Sequence, residues 1–212
     1  MGRDDFVEGD CNRDALAAVT AWPDWPQGPT LLVGPEGSGK SHLVGIWGEL
    51  SGAAILQAAN VTEADCSPGA SRCPIAIEGI ERAPEITLFH LLNRAREYGV
   101  PVLLTTRDER IAENIGLVDL GSRLRAARPL RIMPPDDGFL RRVLAKLFSD
   151  RQLAVLPHLL EYLVRRMDRT YVAAAELVAR MDEMALSKGI ALNRQLAAAA
   201  LLQYEQHRAS LR

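Results

Sequence analysis

The segment Gly34–Ser41 constrains the fold of this chain more than any other part of the sequence. It reads Gly-Pro-Glu-Gly-Ser-Gly-Lys-Ser, matches the phosphate-loop pattern G-x-x-x-x-G-K-[ST], and directly follows the apolar run Leu31–Val33. In this pattern the glycines let consecutive backbone N–H groups point at phosphate oxygens, at the positive end of the helix that follows. We expect Lys40 to contact the β and γ phosphates of a nucleotide and Ser41 to contact Mg2+. An ordinary glycine-rich turn is the alternative.

Strand and helix patterns alternate through the first 135 residues. The helical patterns between the strands lie at Ser41–Leu50, Ile86–Tyr98 and Arg110–Asn114. Such alternation is typical of a parallel sheet covered on both faces, so we predict an α/β fold with a five-stranded parallel sheet. The apolar runs of strand length are Thr30–Gly34, Ala53–Ala58, Pro74–Ile80, Pro101–Thr106 and Pro129–Met133.

The pattern changes after Pro134-Pro135. Asp136 or Asp137 is suited to cap a helix that starts near Gly138, and helical periodicity then continues at 138–149, 156–167, 169–187 and 193–207. The formal charge changes as well, from −6 over residues 1–136 to +4 over residues 137–212. We therefore predict an α/β domain at 1–135 and a small helical domain at 136–212.

Composition excludes several classes of protein. A net charge of −2 argues against a chain whose main activity is to hold nucleic acid, because Lys and Arg supply most of that affinity. No run is long and apolar enough for a membrane span, and the N-terminus lacks an apolar secretion signal, so we expect a cytoplasmic protein that does not contact a membrane. The four histidines have no metal-ligand spacing and form no pattern of a nucleophilic triad with Ser38 or Ser41.

A second motif follows at the third apolar run. Glu78 stands at the end of Pro74–Ile80, where a carboxylate would help to hold Mg2+, but Gly79 occupies the position where a water-activating carboxylate would be expected. Glu81 follows two residues later. Because a positioned base contributes a factor of about 10²–10⁴ in rate, we expect nucleotide binding with slow or absent intrinsic hydrolysis.

Taken together, these segments resemble the DnaA-related AAA+ proteins, which comprise the bacterial replication initiators and, more closely, their shorter homologues of the Hda type. The resemblance covers essentially the whole chain and implies an AAA+ domain followed by a helical lid. Asp5-Phe6-Val7-Glu8-Gly9 with Asn12 is similar to the segment that lies beside the adenine in this family. The resemblance therefore implies that Phe6 and Val7 line an adenine pocket. The motif at Glu78 is similar to that of the Hda type, in which the second acidic position is also absent.

Three further segments carry the resemblance. Leu103–Arg107 corresponds to the sensor 1 strand, where Thr105 or Thr106 would lie near the γ-phosphate. Asp119–Leu124 is similar to box VII, D-L-x-S-R-[LF], whose arginine inserts into the nucleotide site of a neighbouring subunit, and this implies that Arg123 is an arginine finger. The alternative for Arg123 is that it is a solvated surface arginine.

The segment Arg166–Thr170 is similar to the sensor 2 region at the start of a lid helix. Arg169 matches the arginine that reaches from lid to phosphate, and Arg166 is the alternative. Both could instead form an ordinary basic face of a surface helix. The predicted metal ligands are Ser41 and Glu78. The predicted nucleotide-contacting residues are Phe6, Val7, Gly34, Pro35, Glu36, Gly37, Ser38, Gly39, Lys40, Ser41, His42, Thr105 and Arg169.

The resemblance implies a regulator of replication initiation. Such a protein holds ADP or ATP with Mg2+ and promotes hydrolysis of the ATP that its partner DnaA binds. Self-association and indirect contact with DNA are further possibilities. Family members also bind the DNA sliding clamp through an N-terminal peptide, but here only Met1–Asp4 precede the match. We expect that this chain lacks that peptide or is part of a longer one. Gln152–Leu156 fits the peptide superficially but falls between two predicted helices.

Two other functions remain as alternatives. One is a DNA-binding or helicase-loading AAA+ ATPase, which the positive charge of residues 137–212 and a group of arginines between 107 and 131 would support. The other is a P-loop kinase for a small molecule, which the segment Gly34–Ser41 alone would allow.

Overall fold

The computed structural model describes residues 3–26, 28–66 and 72–210. The chain forms two compact units. The first unit runs to Pro35 and resumes from Gly39 to Met133, and the second contains Glu36–Ser38 and the chain from Pro134 onward. The assignment of residues 1–135 to a nucleotide-binding domain and of residues 136–212 to a lid stays a prediction.

The first unit contains a five-stranded parallel sheet, as predicted from the sequence. Its strands lie side by side in the order β2-β3-β4-β1-β5, and every neighbouring pair is parallel. Because β1 lies between β4 and β5, the segment after it emerges beside the carboxyl end of β4. The strands are β1 (Pro29–Val33), β2 (Ala54–Gln57), β3 (Ile75–Glu78), β4 (Val102–Thr106) and β5 (Arg128–Arg131).

Helices cover both faces of this sheet. Successive residues of β1 alternate between two apolar cores, with Leu31 and Val33 in one and Leu32 in the other. The core around Leu32 also holds Trp47. The three central strands β1, β3 and β4 are buried along most of their length, and strands buried on both faces are continuous apolar runs, which explains why the sequence predicts these three well. The helices are α1 (Arg13–Thr20), α2 (Lys40–Ser51), α3 (Glu85–Glu97), α4 (Ile111–Asn114) and α5 (Val118–Ala126).

The second unit is helical, and side-chain caps start its helices. Asp136 Oδ1 accepts a hydrogen bond from the Phe139 amide at 2.6 Å, which selects Asp136 from the two aspartates that the sequence offers as caps. Thr170 caps the third helix of this unit and Asn193 the fourth. The helices are α6 (Asp137–Asp150), α7 (Pro157–Val164), α8 (Tyr171–Lys188) and α9 (Arg194–Ser210).

A single apolar core holds these four helices together. Leu140, Phe148, Leu163 and Leu177 are all almost fully buried in it. Within the described ranges of the chain, no helix is both long and apolar enough to cross a membrane.

Candidate functional site

The loop Gly34–Ser41, called the glycine loop below, connects β1 to α2. At its start, the Gly34 amide donates a hydrogen bond to the Thr106 carbonyl at 3.2 Å, which fastens the loop to the carboxyl end of β4. Gly37 and Gly39 have φ angles of +70° and +89°, which L side chains rarely adopt. The loop backbone therefore favours glycine at both positions, of which the sequence pattern specifies Gly39 but not Gly37.

Lys40 folds back over the glycine loop. Its Nζ donates hydrogen bonds to the carbonyl oxygens of Gly34 at 2.7 Å and Pro35 at 2.8 Å. These bonds hold the ammonium group against the loop rather than in solvent. A cation in this position is placed to meet an anion that enters the loop.

Two serines of the loop have different surroundings. Ser38 is almost fully buried, and its hydroxyl has no hydrogen-bond partner among the described residues. A buried hydroxyl without a partner is costly, so Ser38 Oγ is a candidate to bind a ligand. Ser41 is exposed at the second position of α2. Gly39 precedes this helix and provides no side-chain cap, which leaves its first-turn amides for another acceptor.

The N-terminal segment packs beside the glycine loop. A Cβ atom at Gly39 would lie 3.1 Å from Phe6 Cε2, and the Phe6 ring meets the His42 ring edge-on at 5.2 Å between centroids. Buried Asn12 fixes this segment because its Nδ2 donates to the Val7 carbonyl at 2.9 Å. The structure thus brings Phe6, Gly39 and His42 together, and their contact with a nucleotide stays a prediction.

Glu78 ends β3 directly opposite Gln57 of β2. Its Oε2 accepts a hydrogen bond from Gln57 Nε2 at 2.7 Å, while its Oε1 is buried and has no hydrogen-bond partner in the described parts of the chain. The next residue, Gly79, donates its amide to Thr105 Oγ1 at 3.0 Å. Glu78 and Thr105 therefore lie at neighbouring strand ends, and Gln57 is a contributor that the sequence motifs did not reveal.

The remaining polar residues near these strand ends are already engaged. Glu81 forms an ion pair with Arg107 at 3.4 Å, so its carboxylate points toward a cation of the protein. Thr106 Oγ1 accepts a hydrogen bond from the Asp108 amide at 3.0 Å. Of the two threonines that the sequence offers, Thr105 is the one that contacts the segment after Glu78.

Arg123 lies in the last turn of α5, half-buried, with its guanidinium carbon 5.2 Å from the centroid of the Phe89 ring. No carboxylate of the described residues forms an ion pair with it. It lines a cavity of about 920 Å³ together with Pro29 and Val102, the first residues of β1 and β4. The five residues of β1 span about 13 Å, and the glycine loop follows the far end, so Arg123 lies at the opposite edge of the sheet.

The two arginines considered for sensor 2 have different partners within the second unit. Arg169 pairs with Asp137 in a fork, with Nε 2.9 Å from Oδ1 and Nη2 donating to Oδ2 at 3.1 Å. Arg166 instead lies over the ring of Tyr162, with its guanidinium carbon 4.1 Å from the ring centroid. The two arginines therefore belong to different local clusters.

A tyrosine of α9 supports the segment that carries Arg169. Tyr204 Oη donates a hydrogen bond to Asp168 Oδ2 at 3.0 Å. Burial raises the pKa of the Tyr204 phenol above its ordinary value of 10.0, the charge of Glu176 raises it further, and Arg180 lowers it. The phenol is therefore neutral and able to donate throughout the physiological range.

Comparison with solved structures identifies the architecture. Domain III of the replication initiation protein DnaA from Thermotoga maritima superposes with a TM-score of 0.79 and 15% identity, over 94% of this chain and 95% of that one. The RuvB Holliday junction branch migration motor from Thermotoga maritima gives 0.69 and 19%, over 94% of this chain and 70% of that one. AMPPCP-bound DnaA from Aquifex aeolicus gives 0.68 and 15%, over 97% and 68%.

The chain has the AAA+ P-loop fold. At these identities the likenesses establish the fold alone. No protein-family model matches the sequence, and a search of curated proteins gave no match either.

The residues around the glycine loop have the chemistry that a nucleotide with Mg2+ requires. Three features suit a phosphate group: the two positive-φ glycines, the folded-back Lys40, and the buried Ser38 hydroxyl, which has no hydrogen-bond partner in the part of the chain that the structure describes. The buried Glu78 Oε1 without a partner suits a ligand of Mg2+, and carboxylate oxygens are what Mg2+ prefers. No cluster of three or more His, Cys, Asp or Glu residues that could hold another metal occurs among the described residues.

Proposed function

We propose that this chain is a nucleotide-binding AAA+ module that acts in DNA replication. The observation that carries the proposal is the glycine loop, whose two left-handed glycines, folded-back Lys40 and buried Ser38 hydroxyl together suit a polyphosphate. The likeness to a DnaA structure solved with AMPPCP supports an adenine nucleotide as the ligand.

Each part of the bound nucleotide has candidate contacts. Lys40 and the amides of the glycine loop would hold the phosphates, with Ser41 and Glu78 on Mg2+. Gln57 would keep the Glu78 carboxylate oriented through its hydrogen bond to Oε2. Phe6 would lie beside the base, since its ring packs at Gly39 and His42. When bound, Mg2+ neutralises phosphate charge.

We further propose that the chain hydrolyses its own nucleotide slowly. Gly79 stands where a carboxylate would activate water, and Glu81, two residues later, forms an ion pair with Arg107. Without a positioned base, a factor of about 10²–10⁴ in rate is lost. The proposal is consistent with a chain that acts mainly on nucleotide held by a partner.

The proposed partner nucleotide is ATP bound to DnaA, and Arg123 is the proposed arginine finger. Two observations support this assignment: Arg123 has no carboxylate partner among the described residues, and it lies beside the amino ends of β1 and β4, away from its own glycine loop. A guanidinium group keeps its charge and binds phosphate oxygens through a fixed fork. Such a residue therefore suits insertion into another subunit's nucleotide site.

The test is the ATPase rate of DnaA with and without this chain, in the presence of ADP, DNA and DNA-loaded sliding clamp. We expect the wild-type chain to stimulate the ATPase of DnaA and Arg123→Ala to abolish that stimulation, because arginine fingers contribute about 10³–10⁵ in rate to the partner's reaction. The affinity of the variant chain for ADP should change less than about twofold. Arg125→Ala is the matched control on the same helix, since Arg125 is engaged with Ala112 and Ser122.

Two outcomes would contradict the proposal. Equal loss of ADP binding and stimulation in Arg123→Ala would indicate a structural role for this arginine. A folded, nucleotide-bound chain that never stimulates DnaA would favour the DNA-binding or helicase-loading alternative.

A further inference from the structure

Two arginines of the second unit contact one tyrosine ring. The guanidinium carbon of Arg166 lies 4.1 Å from the centroid of the Tyr162 ring, and that of Arg194 lies 4.9 Å from the same point. The two cations are thus no farther apart than the sum of these distances. Tyr162 lies in α7 and Arg194 is the first residue of α9, so two helices build the surface, called the Tyr162 surface below.

The positive charge on the Tyr162 surface has no ion-pair partner within the described part of the chain. No carboxylate of the described residues forms an ion pair with Arg166 or Arg194. Glu161, the acid next to Tyr162, pairs with Arg141 instead. Asp168, which follows Arg166 closely, accepts the hydrogen bond of Tyr204. These two acids, which are neighbours of Tyr162 and Arg166 in sequence, are therefore engaged with other residues.

The position of Arg194 adds to this imbalance. It stands at the amino end of a long helix, where the helix dipole is positive, and the first turn contains no acidic residue. The ring face attracts both guanidinium groups, which explains how they gather in spite of their repulsion. An external anion would reduce both the repulsion between the two arginines and the repulsion between Arg194 and the positive end of the helix dipole.

We propose that the Tyr162 surface binds the phosphate backbone of a nucleic acid. Guanidinium groups laid on an aromatic ring keep N–H edges available, and these fit phosphate oxygens in a bidentate manner. Arg166 uses one donor on the Tyr162 carbonyl at 3.5 Å and retains the others. Exposed Arg165 lies next to it in sequence and adds to the positive charge.

A nucleic acid fits this surface better than an acidic protein segment. Protein partners are recognised through apolar and aromatic groups enclosed by a polar rim, but here the aromatic ring is already covered by cations. A phosphate backbone needs only cations and N–H donors, and each strand of B-DNA offers a phosphate about every 3.4 Å along the helix axis. The binding is accordingly independent of base sequence, and it does not rest on the glycine loop or on Arg123.

The experiment measures fluorescence anisotropy of labelled single-stranded and duplex DNA of about 20 nucleotides with the full chain, from about 50 to 200 mM salt. Arg166→Gln/Arg194→Gln should weaken binding about tenfold or more. It should also reduce the slope of log affinity against log salt by about 0.7 per lost contact on the single strand. Arg151→Gln is the control: it removes one positive charge, as each of the two substitutions does, but from an arginine that pairs with Asp182. Melting temperatures of all variants check the fold.

Four outcomes would overturn the inference. The first three are no binding of either DNA, weakening by Arg151→Gln equal to that in the double variant, and binding of pyrophosphate alone. The fourth is that a polyglutamate peptide binds as tightly as DNA and loses its affinity to the same extent in the double variant. The last outcome would assign the surface to an acidic protein segment. DNA binding that depends on Arg166 and Arg194, and not on Arg151, would establish the Tyr162 surface.

Discussion

The ion pair between Arg169 and Asp137 gives a sharp test of the proposed contact between Arg169 and phosphate. Asp137 occupies both Nε and Nη2 of Arg169, which is the fork that a phosphate would use. The carboxylate and a nucleotide phosphate would therefore compete for one guanidinium group. We expect Asp137→Asn to weaken this competitor and tighten the binding of ATP.

The exposure of the pair sets the size of the effect. The Arg169 side chain is 68% exposed and that of Asp137 is 46% exposed, and ion pairs this exposed contribute at most about 1 kcal/mol. Asp137→Asn should therefore tighten ATP binding by no more than about fivefold. Arg169→Ala would remove the predicted charge-assisted hydrogen bonds to phosphate and should weaken ATP binding by about tenfold or more.

Calorimetric titration of ATP into the wild-type chain, both single variants and the double variant completes the cycle. In the Arg169→Ala background, Asp137→Asn should change the affinity for ATP less than about twofold, because the guanidinium group with which Asp137 pairs is absent. Asp150→Asn is the matched control, since it breaks the pair with Lys146 at the other end of α6. A gain that persists without Arg169, or an equal gain in Asp150→Asn, would refute the reasoning.

Three further variants test other parts of the structure. Lys40→Ala should weaken ADP binding about tenfold or more in calorimetry, through loss of the ammonium group at the phosphates. Gly39→Ala should destabilise the chain by about 1–2 kcal/mol in denaturant titration, since it places Cβ on left-handed backbone beside Phe6. The raised Tyr204 pKa means that its stabilisation is complete below pH 10.0 and declines as pH rises toward the folded-state value. Tyr204→Phe, which also loses the bond to Asp168, should flatten that alkaline decline of the melting temperature.

Most of the fold was accessible from sequence because buried parallel strands are continuous apolar runs. All five residues of β4 are buried, and the predicted Pro101–Thr106 exceeds the strand by one residue. The sequence pattern does not predict the helix α5. Its start is held by Glu85 of α3, whose carboxylate accepts hydrogen bonds from the amides of Gly116 at 3.0 Å and Leu117 at 2.7 Å. Because Glu85 lies 31 and 32 positions before the two amides that it caps, the sequence around α5 contains no local signal for the start of this helix.

Long separation in sequence also explains why the local pattern does not reveal the partners of two candidate site residues, Glu78 and Arg169. Gln57 could have been found only from the strand register, which places it opposite Glu78. The sequence offers Asp137 as a helix cap, but its carboxylate pairs with Arg169, 32 positions along the chain. The local pattern was sufficient for the glycine loop, because its chemistry depends on consecutive backbone positions.

The distribution of these groups bears on why the chain would act on a partner's nucleotide. At the carboxyl edge of the sheet, Lys40 and Glu78 suit the binding of a magnesium nucleotide, but Gly79 supplies no base. At the amino edge lies Arg123, the proposed arginine finger, which is separated from its own loop by the length of β1. Binding and catalysis would thus be assigned to opposite edges, and only a second nucleotide-binding subunit placed against the Arg123 edge would bring the two functions together.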